Sequence, residues 1–209
     1  MTNSEEDNPV INSVPITNKL LLSLIVDYSG SLADEGDAAS IEEFVKRIRQ
    51  ELPGICDGFQ IPCKIRCLAY SDEPRWVQEE FVNLESFEFE LPSGGKFSNF
   101  GAALREILNK NLLSNDQRKE VWLWVSDGFP TDNWLEAAEL LRTNAAFEKV
   151  ERYSVHPEGD TRYESLLWFA GNENRVMNST EVDSGLFTEF AMHCLPEQSS
   201  DDPWDDPTF

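Results

Sequence analysis

Positive charge is what this chain has least of. Seventeen Lys+Arg stand against 39 Asp+Glu, a formal net charge of −22 over 209 residues. A field of that sign repels a phosphate backbone or an anionic membrane surface over a Debye length, which argues against nucleic acid or membrane as a partner. Long apolar runs are lacking too. The longest, Leu20 to Val26 with Ser23 inside it, is far short of the roughly 20 residues that cross a bilayer. The start MTNSEEDNPV is acidic where a secretory signal is basic, so a cytoplasmic location is expected.

Histidine and cysteine are scarce. His156 and His193 fall in a predicted strand end and a terminal helix, where a structural role outweighs a catalytic one. Cys56, Cys63, Cys67 and Cys194 lack the paired spacing of a zinc site, and Cys63 and Cys67, four apart on a strand, share one face. Reduced, mostly buried thiols are expected. The stretches GICDG and SGG lack the lysine and spacing of a P-loop.

What the chain does have is regular alternation of apolar runs with amphipathic stretches. Strands are predicted over 19–26, 63–71, 119–126, 148–156 and 174–179, and helices over 40–52, 131–147, 161–171 and 184–195. The region 75–92 reads as an edge strand or hairpin, and Ser98 is placed to cap the helix that follows it. This order predicts an α/β fold with a mostly parallel sheet covered on both faces, where ligands collect at the carboxyl ends of strands. A hydrophobic content of 40 % supports one sizeable core, dividing the chain into a polar extension (1–18), one domain (19–195) and an acidic tail (196–209). The tail carries five acids, three prolines and no periodicity, so disorder is expected. Its Trp204 and Phe209 fit either a solubilising end or a short motif for a basic groove.

The chemistry concentrates where the first strand ends, in Asp27-Tyr28-Ser29-Gly30-Ser31. Oxygens at every second position let one turn present three of them to a common point, as a hard divalent cation requires. A second carboxylate, Asp127, ends another apolar strand after Ser126. A polar strand-to-loop turn explains the first group equally simply, since Asp, Ser and Gly favour turns. Asp34, Glu35 and Asp37 read as the solvated first turn of a helix starting near Ser40, and Thr131 and Asp132 as the cap or first turn of the helix with Trp134.

The stretch DYSGS resembles the Asp-x-Ser-x-Ser motif of von Willebrand factor A (vWA) domains, whose metal-ion-dependent adhesion site adds a distant Thr and Asp. Counting back from Ala103-Leu104 places Ser98 where that family has its Thr, with about two residues inserted after Gly94-Gly95; Ser93 is the weaker candidate. The stretches SNFGAAL and SDGFPTDNW look most like the tellurium-resistance TerY-like branch. The resemblance implies a Rossmann-like vWA fold holding Mg²⁺, or Mn²⁺ or Ca²⁺, through Asp27, Ser29, Ser31, Ser98 and Asp127. It implies a non-enzymatic module that captures an acidic side chain of a protein partner, in a bacterial stress-response or defence system with a kinase and a PP2C-type phosphatase. A metal-dependent phosphoester hydrolase and a metal-free scaffold are the alternatives.

Overall fold

The computed structural model describes residues 18–32, 35–90, 92, 94–110 and 120–195. All of the polar extension but Asn18, and the whole acidic tail with Trp204 and Phe209, lie outside the described residues. Among those described, β1 (Leu20–Asp27), β2 (Cys63–Tyr70), β3 (Pro74–Asn83), β4 (Glu120–Val125), β5 (Glu151–His156) and β6 (Val176–Asn178) form one sheet. Its order is β3-β2-β1-β4-β5-β6. Only β3 runs antiparallel, on β2; the other pairings are parallel. The helices are α1 (Glu35–Gly58), α2 (Phe100–Asn109), α3 (Trp134–Arg142), α4 (Tyr163–Ala170) and α5 (Ser184–His193).

Every residue of β1 is buried, because the period of two sends its side chains alternately into two apolar layers. Leu20, Leu22, Leu24 and Val26 join Val121, Leu123 and Val125 under α1 and α5. Ile25 joins Trp122 and Trp124 under α2, α3 and α4. Phe100 opens α2 and stacks flat on Trp124, ring centroids 3.8 Å apart. Ser23 interrupts the apolar run for a reason: its Oγ accepts from Arg66 Nε at 2.7 Å. Arg66 also reaches Glu120 at 3.0 Å, and Trp122 Nε1 donates to the other oxygen of that carboxylate at 2.9 Å.

The structure departs from the sequence reading at several boundaries. α1 begins at Glu35 rather than near Ser40, and it continues through Pro53. Its buried stripe of Ile41, Phe44, Val45, Ile48, Leu52 and Cys56 extends beyond that proline, so packing on the sheet outweighs the lost backbone donor. The helix then stops in a Schellman turn: Gln60 takes a left-handed φ of 58°, and the N–H of Ile61 reaches the Cys56 carbonyl at 3.0 Å. The region from 75 holds one edge strand followed by a 3-10 turn at Leu84–Ser86, not a hairpin. α3 ends at Arg142, and Asn144 Oδ1 accepts the Ala146 N–H at 2.9 Å in place of a further helical turn.

The chain runs outward from β1 to β2 and β3, then crosses to β4 on the other side of β1. The carboxyl ends of β1 and β4 therefore flank the point where strand order reverses, which is where an open α/β sheet forms its crevice.

Candidate metal centre

Asp27 is the last residue of β1 and is fully buried. Its Oδ1 accepts the Ser29 N–H at 2.9 Å, an Asx-type turn that bends the chain out of the strand. Its Oδ2 accepts from the hydroxyls of Ser98 at 2.7 Å, Ser126 at 2.9 Å and Tyr70 at 3.2 Å. Tyr70 lies opposite Asp27 in the β1–β2 register, and Trp124 Nε1 donates to its oxygen at 2.8 Å, leaving the phenolic proton for Asp27. Burial pushes the Asp27 carboxyl above the ordinary aspartate range. The hydrogen bonds from Ser98 and Ser29 pull it back, and the charge of nearby Asp127 adds to the rise.

Asp127 follows β4. Its Oδ2 accepts from Ser31 Oγ at 2.7 Å and its Oδ1 from the Phe129 N–H at 3.1 Å, and Ser29 Oγ lies 3.3 Å from Ser31 Oγ. Gly128 makes the turn at a φ of 79°, where a Cβ would sit 2.1 Å from the Arg162 carbonyl oxygen, so no other residue fits.

Ser98 arrives on a loop pinned from outside. Asp72 Oδ1 accepts the Lys96 and Phe97 N–H groups at 2.9 and 2.8 Å, and Asn99 N–H reaches the Ser71 carbonyl at 3.0 Å. The Ser98 hydroxyl therefore faces Asp27 and does not cap α2. That cap comes from Asp132, whose two oxygens accept the Gly101 and Ala102 N–H groups at 3.0 Å each. The sequence reading assigned Asp132 to its own helix; the structure gives it to the neighbouring one. Thr131 lines the cleft, and its hydroxyl donates to Asn99 Oδ1 at 3.2 Å.

The five residues expected from the sequence thus gather in one place. Ser29, Ser31, Ser98 and Asp127 line the floor of an open cleft of about 490 Å³, with Asp27 held beneath by Ser98. Ser93, the weaker candidate, lies outside the described residues. Lys96 and Phe129 stand on the wall of the cleft together with Glu158 and Asp160. Sequence reasoning missed Ser126 and Tyr70 as partners of Asp27. The only signal was positional: both sit where a strand ends beside β1.

The donor set fits a hard cation. It offers two carboxylates and serine hydroxyls, all oxygen, and no described group of three or more His, Cys, Asp or Glu offers softer coordination. Among the described residues no lysine or arginine pairs with Asp27 or Asp127. A cation would therefore compensate a buried charge that the protein itself leaves uncompensated.

No protein-family model and no curated protein matches the chain. Solved structures do. Proximal thread matrix protein 1 from the mussel byssus, in a form with a zinc-occupied MIDAS (metal-ion-dependent adhesion site) motif, superposes with a TM-score of 0.58 at 14 % identity, covering 84 % of this chain and 46 % of that one. The ArnB paralog VWA2 from Sulfolobus acidocaldarius gives 0.57 at 16 % identity, covering 82 % of this chain and 44 % of that one. The pilus adhesin SpaC from Lactobacillus rhamnosus GG gives 0.60 at 11 % identity, with 84 % and 30 % covered. This chain thus spans less than half the length of each. With its six-stranded, mostly parallel sheet and its helices on both faces, the chain has the Rossmann-like fold of vWA domains.

Proposed function

We propose that this chain is a metal-dependent protein-interaction module that takes an acidic side chain of a partner into the cleft at the ends of β1 and β4. The observation that carries the reading is the convergence of Ser29, Ser31, Ser98 and Asp127 on one solvent-open cleft, with Asp27 buried beneath it as the acceptor of the Ser98 hydroxyl. A divalent ion bound there, Mg²⁺ in the first instance, would remain an electrophile able to accept a partner's carboxylate at a position that the chain's own oxygens leave open. In that role Ser29, Ser31 and Ser98 supply neutral oxygens, while Asp27 and Asp127 supply charge and orient the hydroxyls that already donate to them. The likeness to structures that include a zinc-occupied MIDAS motif and a pilus adhesin supports the reading.

The module acts by binding rather than turnover. His156 supports this, since its Nδ1 lies 2.9 Å from the Pro157 carbonyl and 3.2 Å from Thr161 Oγ1, and Tyr163 Oη lies 3.3 Å from its Nε2. Its ring is thus engaged on both nitrogens. The finer assignment, to a TerY-like protein working in the cytoplasm with a kinase and a PP2C-type phosphatase, belongs to the same proposal and rests on the motifs SNFGAAL and SDGFPTDNW.

Calorimetry with Mg²⁺ and Mn²⁺ tests the site, and pull-down from native cells with and without chelator tests the role. Wild type should bind the ion weakly, Asp27→Ala and Ser29→Ala should lose it, Ser98→Thr should keep partner binding and Ser98→Ala should weaken it. Equal metal affinity in wild type and Asp27→Ala, or partner capture indifferent to chelator, would overturn the proposal. Phosphoester turnover abolished by Asp27→Ala would replace it with a hydrolase.

A further inference from the structure

We propose that the cleft selects an acidic residue accompanied by a basic one on the same partner segment, and that Glu158 and Asp160 are the residues that read the base. This rests on the interaction role proposed above and names the kind of partner the cleft admits. The cleft carries opposite charges on its two sides. Lys96 is tied through its backbone N–H to Asp72, just past β2, at 2.9 Å, whereas Glu158 and Asp160 stand on the loop that follows β5. In the order β2-β1-β4-β5 these two sides flank the floor built at the ends of β1 and β4. The strands β2 and β5 are three strand spacings apart, about 14 Å.

The acidic side is tied to the floor. The Arg162 N–H donates to the Asp127 carbonyl at 2.9 Å, and at the other end of the loop Thr161 Oγ1 and the Pro157 carbonyl lie 3.2 and 2.9 Å from His156 Nδ1. Neither acid is neutralised within the chain. Both are exposed, and among the described residues no lysine, arginine or histidine pairs with them; the Glu158 carboxylate accepts from Thr180 Oγ1 at 3.4 Å.

Their effect falls on whatever enters the cleft. Once a divalent ion is set against Asp127 and the buried Asp27, Glu158 and Asp160 outweigh Lys96, so a lone carboxylate approaches against residual negative charge and against the −22 of the whole chain. A Lys or Arg on the same segment reverses that balance. In an extended segment, side chains two residues apart share a face and stand roughly 7 Å from one another, about half the distance from β2 to β5. An acid over the floor therefore brings such a base to Glu158 and Asp160. A second acid in its place meets both carboxylates, which rejects the wrong partner as well as favouring the right one.

The test is selection of random peptides displayed on phage, panned against the full chain in Mg²⁺ and eluted with EDTA. Peptides eluted from wild type should carry Asp or Glu, with Lys or Arg enriched severalfold within three residues of it. The variant Glu158→Gln/Asp160→Asn should still return acidic peptides without that enrichment, and Glu158→Lys/Asp160→Lys should replace the base with a second acid. Acidic peptides lacking the base in wild type would overturn this inference and leave the interaction role standing. So would a base enriched equally in wild type and Glu158→Gln/Asp160→Asn, which traces it to the overall charge. If calorimetry finds two Mg²⁺ in wild type and one in that variant, the acids hold a second ion and the inference fails. If no acidic peptide is released by EDTA, the interaction role and this inference fall together.

Discussion

At Asp27 one carboxylate oxygen collects the hydroxyls of Ser98, Ser126 and Tyr70 while the other takes a backbone N–H. Hydroxyls rotate, so they can accept as readily as they donate. Asp27→Asn removes the buried charge and offers an NH₂ to hydroxyls free to turn, and the metal-free protein should be as stable as wild type or more so. Asp27→Ala instead leaves buried hydroxyls without an acceptor and should cost about 1–3 kcal/mol. Urea unfolding in chelator measures both, and a loss in Asp27→Asn as large as in Asp27→Ala would contradict this account. In excess Mg²⁺ only wild type should gain stability, since a ligand raises the stability of the state that binds it. That Asp27, Ser29, Ser31 and Asp127 lie close together was legible in the sequence from two short strand-end motifs, and the place of Ser98 only from the resemblance to vWA domains. Tyr70 and Ser126 were not, because only the sheet brings the ends of β2 and β4 beside β1.

Two helix ends show how elements hold one another. Gln60 carries a left-handed φ at an exposed position where glycine is the ordinary choice. Relief of that conformation exceeds the backbone entropy glycine adds to the unfolded chain, so Gln60→Gly should stabilise by roughly 0.5–1 kcal/mol in denaturant unfolding. At the start of α2 the acid that caps the helix comes from another segment. Gly101 makes room for it, since a Cβ there would stand 2.8 Å from both Asp132 Oδ2 and Trp134 Cα. Gly101→Ala should therefore cost about 1–3 kcal/mol by overpacking. Because Ser98 lies just ahead of α2, the same change should weaken Mg²⁺ binding in calorimetry. Unchanged metal affinity would show that the loop of Ser98 is held independently of α2, by Asp72 through Lys96 and Phe97 and by the Ser71 carbonyl through Asn99.

Over the whole molecule the charge of −22 acts at longer range than any of these contacts. It repels itself in the folded state and draws cations toward the cleft. Raising NaCl from ~0.02 to ~0.3 M shortens the Debye length severalfold, so the melting temperature of the chelated protein should rise while Mg²⁺ affinity falls several-fold. A melting temperature insensitive to salt would place the acids too far apart to matter. Binding to a cationic partner should slow as salt rises, because screening removes the steering field.

The sequence by itself determined the alternation of strands and helices, the burial of β1 and β4 on both faces, and the motif at the end of β1. These follow from periodicity and turn chemistry, which are local. Tertiary structure alone decided that α1 runs past Pro53, that Asp132 caps a neighbouring helix, and that Ser98 faces Asp27 rather than α2. Each is a competition between partners of similar strength, and it is settled by which groups the sheet brings within hydrogen-bonding reach. Strand order, which sequence spacing does not encode, places the ends of β1 and β4 side by side and so brings Asp127 to the serines of a cleft that the buried Asp27 supports from beneath.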